Sequence, residues 1–165
     1  MIEVKTSVEI DKTPQEEWDY IARIVEWRLA SNTKEHIESS VVGDGAIEKG
    51  TEFVLKERIA GVRGEAFAKV AEYAPPKKLV WKSLHAHYKL LGVSLNGEEG
   101  GTFKISKRAN GCVLSHGVWG KIHAGPASAL IEWFFKNILK GEDKDLQHTH
   151  RELLFIKREI ERKGA

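Results

Sequence analysis

From Ile2 to Ile10 the side chains alternate, with Ile2, Val4, Thr6, Val8 and Ile10 interleaved with Glu3, Lys5, Ser7 and Glu9. A period of two with polar residues opposite describes a half-buried strand. The pattern changes at Thr13-Pro14-Gln15-Glu16, which reads as a helix start. Thr13 is the cap, Pro14 takes the first helical position where no N–H is needed, and Glu16 closes a capping box. Trp18, Ile21, Ala22, Val25 and Leu29 then form an apolar stripe on one helix face, with Trp18 read as core. From His36 to Lys121 strands and turns return, with strands expected near 36–43, 51–60, 63–73, 78–88, 101–108 and 112–121. Glycines such as Gly43, Gly45, Gly50, Gly61 and Gly111 punctuate them, and Asn110-Gly111 is the sharpest hairpin signal. Residues 89–100 read two ways, as a strand extension or as a mobile loop with apolar content.

The end of the chain is helical in pattern. Ala127, Leu130, Ile131, Phe134 and Ile138 form one stripe, and Leu146, His150, Leu153, Lys157 and Ile160 form another. An unbroken helix over 126–162 would be ~55 Å long at 1.5 Å per residue, against ~40 Å across a domain of this size. A kink or break is therefore expected around Lys140-Gly141-Glu142-Asp143. Strand, helical segment, six strands and a long C-terminal helix make an α+β protein, whose antiparallel sheet needs one face covered. Only the C-terminal helix is long enough to cover it.

Composition narrows the class. The 165 residues carry 26 Lys+Arg against 24 Asp+Glu, a formal charge of +2, with 41% hydrophobic and 30% charged residues. This is globular composition in the size range of one domain, 1–165. The near-neutral balance gives no electrostatic reason to expect nucleic acid. The single cysteine, Cys112, makes no internal disulfide. No signal peptide is visible before Tyr20, and the apolar stretch Ala129–Phe135 is interrupted by Glu132 and falls far short of the ~20 residues a span needs. A soluble, cytoplasmic protein without a membrane-spanning segment is expected.

At this point the chain resembles the START-type ligand-binding superfamily (SRPBCC, the helix-grip fold), and within it the polyketide cyclase/dehydrase-like branch. The likeness spans roughly Glu3 to Lys163 and rests on four stretches. These are Val8-Glu9-Ile10-Asp11-Lys12-Thr13-Pro14 before Trp18; Val70-Ala71-Glu72-Tyr73-Ala74-Pro75-Pro76 before Leu79-Val80-Trp81; Gly100-Gly101-Thr102-Phe103; and the closing Leu153–Glu161 helix. None is a catalytic motif. Trp27 to Glu35 departs from the family, lacking its tryptophan-and-proline pattern. The resemblance implies a seven-stranded antiparallel sheet curved around the C-terminal helix, leaving a cavity between them. Small residues at Gly92, Gly117 and Gly120 are consistent with unfilled space. Empty apolar volume costs ~24 cal/mol per Å³, so a large cavity is usually kept for a ligand.

Strand parity selects the lining. Taking faces with Lys and Arg as solvent faces, Phe53, Leu55 and Glu57 point inward, as do Trp81, His85 and His87, and Leu114 and His116. A bulge would reverse the assignment beyond it. From the terminal helix Leu130, Ile131 and Phe134 join the ligand-binding set. His85-x-His87 has three readings: a strand-borne metal pair with His116 as third ligand, a polar pair orienting a ligand, or an exposed strand-end pair. No metal site is assigned from these residues, and no cofactor is expected. His148 and His150 lie two apart on different helix faces and are read as surface or packing residues. Glu57 is either an acid/base raised by desolvation or a salt bridge near a strand end. The catalytic candidates are thus Glu57, His85 and His116. Trp133, Phe134 and Phe135 cannot all face the sheet, so one covers the cavity mouth or packs on a second copy, which leaves a homodimer open.

Three functions follow: a protein that binds or carries a small hydrophobic or amphipathic molecule (lipid, isoprenoid or polyketide-like), a cyclase/dehydratase using an inward Glu or His as acid/base, and a protein-interaction module without a ligand. Fold does not choose among them.

Overall fold

The structure is a computed structural model describing residues 1–43 and 47–162. Gly45 of the expected turn glycines, and Lys163 at the end of the resemblance, lie outside the described residues. The order is β1 (Ile2–Ile10), α1 (Pro14–Ile21), α2 (Ile24–Ser31), β2 (His36–Val41), β3 (Glu52–Ile59), β4 (Val62–Ala74), β5 (Lys78–Leu90), β6 (Val93–Lys107) and β7 (Cys112–His123). A single 3₁₀ turn at Gly125–Ala127 leads into α3 (Ser128–Asn137) and α4 (Gly141–Arg162). Thr13 caps α1 as expected: its hydroxyl accepts from the Glu16 N–H at 3.3 Å, and the Glu16 carboxylate accepts from the Thr13 N–H at 2.9 Å.

The seven strands form one antiparallel sheet in the order β1-β7-β6-β5-β4-β3-β2. β1 and β3 stand five strand spacings apart, about 24 Å on a flat sheet, yet both touch α4. α4 packs on β1 and β7 at one side and on β3 at the other, with the middle strands further off, so the sheet bows around it. The α+β arrangement of a curved antiparallel sheet around a C-terminal helix is thus present. Leu153, Ile156 and Ile160 of α4 are buried against it, with Ile10, Phe53, Phe103, Leu114 and the α1–α2 residues Trp18, Ile21 and Trp27.

Two expectations change, the open reading of residues 89–100 is resolved, and the expected break in the terminal helix is present. The helix after Thr13 is two helices, because the chain breaks at Ala22-Arg23 before α2 begins. Residues 89–100 are strand: β5 and β6 run on to a tight turn in which Leu91 and Gly92 both take positive φ. The terminal helix breaks at 138–140, where Lys140 has φ +51°, and Gly141 opens α4. The buried face of α4 carries His148, Thr149, Glu152, Leu153, Ile156 and Ile160, while Leu146, His150 and Lys157 of the expected stripe lie at its edges.

The second half of β5 is the change that matters for the site. β5 pairs Lys82 with Gly100 and Ala86 with Gly97, and pairs Ser83 with Ala68 and His85 with Phe67. Both registers leave one extra residue in β5, around Leu84. This bulge reverses the side-chain alternation beyond it. Leu79 and Trp81 point inward before it, and Ala86 and Tyr88 point inward after it. The Ser83 hydroxyl accepts from the Glu99 N–H at 2.8 Å, satisfying a donor that the bulge frees.

Candidate functional site

Between the sheet and the helices lies a cavity of about 130 Å³. Its apolar wall comes from Ile59 and Val62 at the β3–β4 turn, Leu90 and Leu95 at the β5–β6 turn, and Val118 and Ile122 on β7. Its floor is aromatic. Tyr88 lies across Gly64 and Gly97, and Trp81 lies across Gly101; a Cβ at Gly97 or Gly101 would overlap those rings. Glycine is therefore required there by close approach of a ring. Gly120 differs: a Cβ there would meet nothing closer than 4.0 Å, so it borders open cavity. Phe135 and Glu132 of α3 cover the opening, and Phe135 packs directly against Gly141 at the start of α4.

The polar end is built from groups far apart in sequence. Arg28, buried on α2, donates to Glu57 at 2.5 Å and to Glu152 at 3.1 Å. Burial opposes the Arg28 charge, but the two carboxylates hold it firmly protonated. Burial likewise works to raise Glu152, yet Arg28 and His116 keep its carboxyl well below the usual range. Glu99 faces the same space and accepts from the Tyr88 hydroxyl at 2.6 Å. Burial and the charge of Glu57 push the Glu99 carboxyl up to about 7, and burial with the same charge pushes Asp145 up to about 7. Burial and Glu99 push the Tyr88 phenol up as well. The wall thus carries two carboxyls that change charge near neutrality, the condition for proton exchange with a bound molecule.

A histidine cluster stands beside Arg28. His36 Nε2 lies 3.0 Å from His148 Nε2 and 3.2 Å from Glu152 Oε1. His36, Glu57 and His148 each bring one donor atom within 4.8 Å of the others. His116 is fully buried, with Nδ1 3.4 Å from Glu152 Oε2 and its ring stacked on Phe103 at 3.9 Å. Burial lowers its pKa, which makes it a neutral packing group beneath Glu152.

The residues singled out from sequence divide accordingly. Trp81 and Glu57 line the cavity. Phe53, Leu55 and Leu114 are packed in the core beneath it. His85 and His87 are exposed on the outer face, His85 stacked on Phe67 at 5.3 Å and His87 2.8 Å from Asn96 Oδ1. The bulge at Leu84 puts them there, so they do not converge with His116. Leu130 is 67% exposed, Ile131 and Phe134 are half-buried, and none of the three lines the cavity. The α3 residues over the cavity are Glu132 and Phe135, each one position past a residue of the expected stripe. Gly117 meets Lys5 on the outer face, and Gly92 forms the β5–β6 turn. Sequence reasoning missed Arg28, Tyr88, Glu99, Asp145 and His148. The Gly97, Gly100 and Gly101 run was the available signal for rings lying across β6.

No protein-family model matches the chain, and no curated protein matches it in sequence. Solved structures do match. A START superfamily protein from Mycobacterium smegmatis has 14% identity over 98% of this chain and 99% of its own, with a TM-score of 0.65. The di-domain ARO/CYC protein of the steffimycin biosynthetic pathway has 12% identity over 99% of this chain and 51% of its own, at 0.64. Major latex-like protein 151 from Panax ginseng has 9% identity over 98% of this chain and 95% of its own, at 0.59. At such identities the likeness is one of fold, and this chain has the START-like helix-grip fold. No helix among the described residues is long and apolar enough to cross a membrane.

Proposed function

We propose that the protein binds a small amphipathic molecule in the space between sheet and helices. The apolar body of the ligand rests on Tyr88, Trp81, Val118 and Phe135, and its polar end meets Glu99, Asp145, Glu57 and Arg28. One observation carries this reading: an unfilled cavity of about 130 Å³ with an apolar wall and titratable carboxyls gathered at one end. An engineered cavity of ~150 Å³ takes up benzene, so the enclosed part suits one ring or a short branched chain. Native mass spectrometry of the protein isolated from its natural host tests the reading. A discrete co-purifying small molecule, released on denaturation, is the expected result; protein of bare chain mass from every growth condition goes against it.

A second reading, acid–base chemistry on the bound molecule, is supported by one pair. The Glu99 carboxyl near neutrality beside the Tyr88 hydroxyl can take up and return a proton at a carbonyl or hydroxyl placed against it. The ARO/CYC likeness is in keeping with it. Glu99→Gln separates the readings, because a carrier keeps its ligand and an enzyme loses turnover.

A further inference from the structure

The His36–His148 pair has a feature that ligand binding in the cavity does not use. His36 Nδ1 is 2.6 Å from the Arg28 carbonyl oxygen, which only accepts, so Nδ1 carries the hydrogen. His148 Nδ1 is 2.7 Å from a Glu35 carboxylate oxygen and donates in the same way. Asn32 donates to that same Glu35 oxygen. Both Nε2 lone pairs therefore point into one space, 3.0 Å apart. Two lone pairs at that distance repel unless a proton or a cation stands between them.

Glu152 completes a triangle of donors. Its Oε1 is 3.2 Å from His36 Nε2 and 3.7 Å from His148 Nε2. A tetrahedral ion with bonds of about 2.0–2.1 Å sets its ligand atoms about 3.3–3.4 Å apart, and the three edges scatter around that value. His148 and Glu152 are one turn apart on α4, so one helix face supplies two donors and α2–β2 supplies the third. Each imidazole is oriented through its other nitrogen by a carbonyl or a carboxylate, the outer support that metal-bound histidines characteristically have. Glu35, Glu57 and Glu152 bring three negative charges against one buried cation, Arg28, while Arg151 reaches Glu35 only from the exposed side at 3.5 Å. With Arg151 counted against Glu35, the cluster still keeps a net negative charge, which favours a cation. Glu57 and His148 also line the cavity, which gives the ion an entry path and leaves a coordination position facing the cavity.

We propose that His36, His148 and Glu152, with Glu57 on the cavity side, form a binding site for a divalent first-row transition-metal ion, with zinc as the ion their mixed nitrogen and oxygen donors suit. Arg28 stays in place, since a carboxylate oxygen has lone pairs for both the guanidinium and the ion.

The full chain, stripped with a chelator, is titrated with Zn²⁺ by calorimetry and with Co²⁺ by visible absorption. One ion per chain and the intense bands of tetrahedral cobalt are expected. His148→Ala and His36→Ala each weaken Zn²⁺ binding at least about 100-fold, and Glu35→Gln weakens it about 10- to 100-fold as an outer support does. The outer-face double variant His85→Ala/His87→Ala binds as the parent does. Because the alanine variants cut into a buried cluster, the imidazole ¹⁵N shifts of the parent chain are read alongside: loading with Zn²⁺ moves Nε2 of His36 and His148 and of no other histidine. The proposal is overturned if the parent takes up no stoichiometric ion, if the ¹⁵N shifts show a shared proton that Zn²⁺ does not displace, or if binding follows His85 and His87.

Discussion

Tyr88 donates its hydroxyl hydrogen to Glu99 across 2.6 Å, and both side chains face the cavity from neighbouring strands. The pair exists because the bulge at Leu84 turns Tyr88 inward and because Gly97 leaves room for its ring. It places a carboxyl that burial raises to about 7 at the polar end of an apolar space.

That value sets a pH dependence for binding. Below pH 7 Glu99 is protonated and neutral; above it the wall gains a negative charge, joined by Asp145, while Arg28 stays cationic and the Tyr88 phenol stays protonated. Affinity for a cationic amphiphile such as octylamine is expected to rise roughly tenfold from pH 6 to pH 8, one pKa unit of differential interaction being worth a factor of ten. Octanol, which is neutral, should show no such rise. Isothermal titration of both probes against the parent and Glu99→Gln checks this, and the variant should lose most of the octylamine dependence.

Glu17 governs stability in the opposite corner of the fold. It is completely buried on α1, and neither carboxyl oxygen has a hydrogen-bond partner among the described residues. Burial, assisted by the charge of Glu161, pushes its carboxyl up to about 8 from an ordinary 4.5. A raised acid binds its proton more tightly in the folded state, so this contribution is complete below pH 4.5 and is lost as pH climbs to 8. The loss is on the order of 3–5 kcal/mol. Chemical denaturation from pH 5 to 9 should show the decline in the parent and a much flatter profile in Glu17→Gln, which is the more stable protein at pH 8.

The cover of the cavity depends on Gly141. A Cβ at this buried residue would overlap the Phe135 ring, so Gly141→Ala must displace α3. The expected cost is about 1–3 kcal/mol, as for other overpacked sites. Dissociation of a bound probe, followed by stopped-flow fluorescence, should speed up several-fold. An unchanged rate would show that α3 does not control the opening.

The sequence made the sheet legible wherever one face is buried throughout. β1, β3 and β7 follow their alternation, and Phe53, Leu55, Cys112 and Leu114 lie inside. It failed on β5 because one extra residue at Leu84 reverses every later side chain, and no local pattern announces a bulge. It failed on the polar end for a different reason. Arg28 and Glu152 are 124 residues apart and each is tolerable in the interior only through the other, a pairing that periodicity cannot show. On α4 the spacing of Leu153, Ile156 and Ile160 already fixes the buried face, and continuing it backwards reaches Glu152 and Thr149. The polar character of those two residues hid the stripe.

The central claim is that the gap between sheet and helices is kept open for a ligand, and Gly120→Leu tests it most directly. The added side chain enters free space, so the variant should fold with a melting temperature equal to or above that of the parent. Titrated with octylamine at pH 8, the parent should bind with one site and the variant should show no measurable binding. Equal affinity in a properly folded Gly120→Leu would mean that the molecule is held elsewhere and that the cavity is not the binding site.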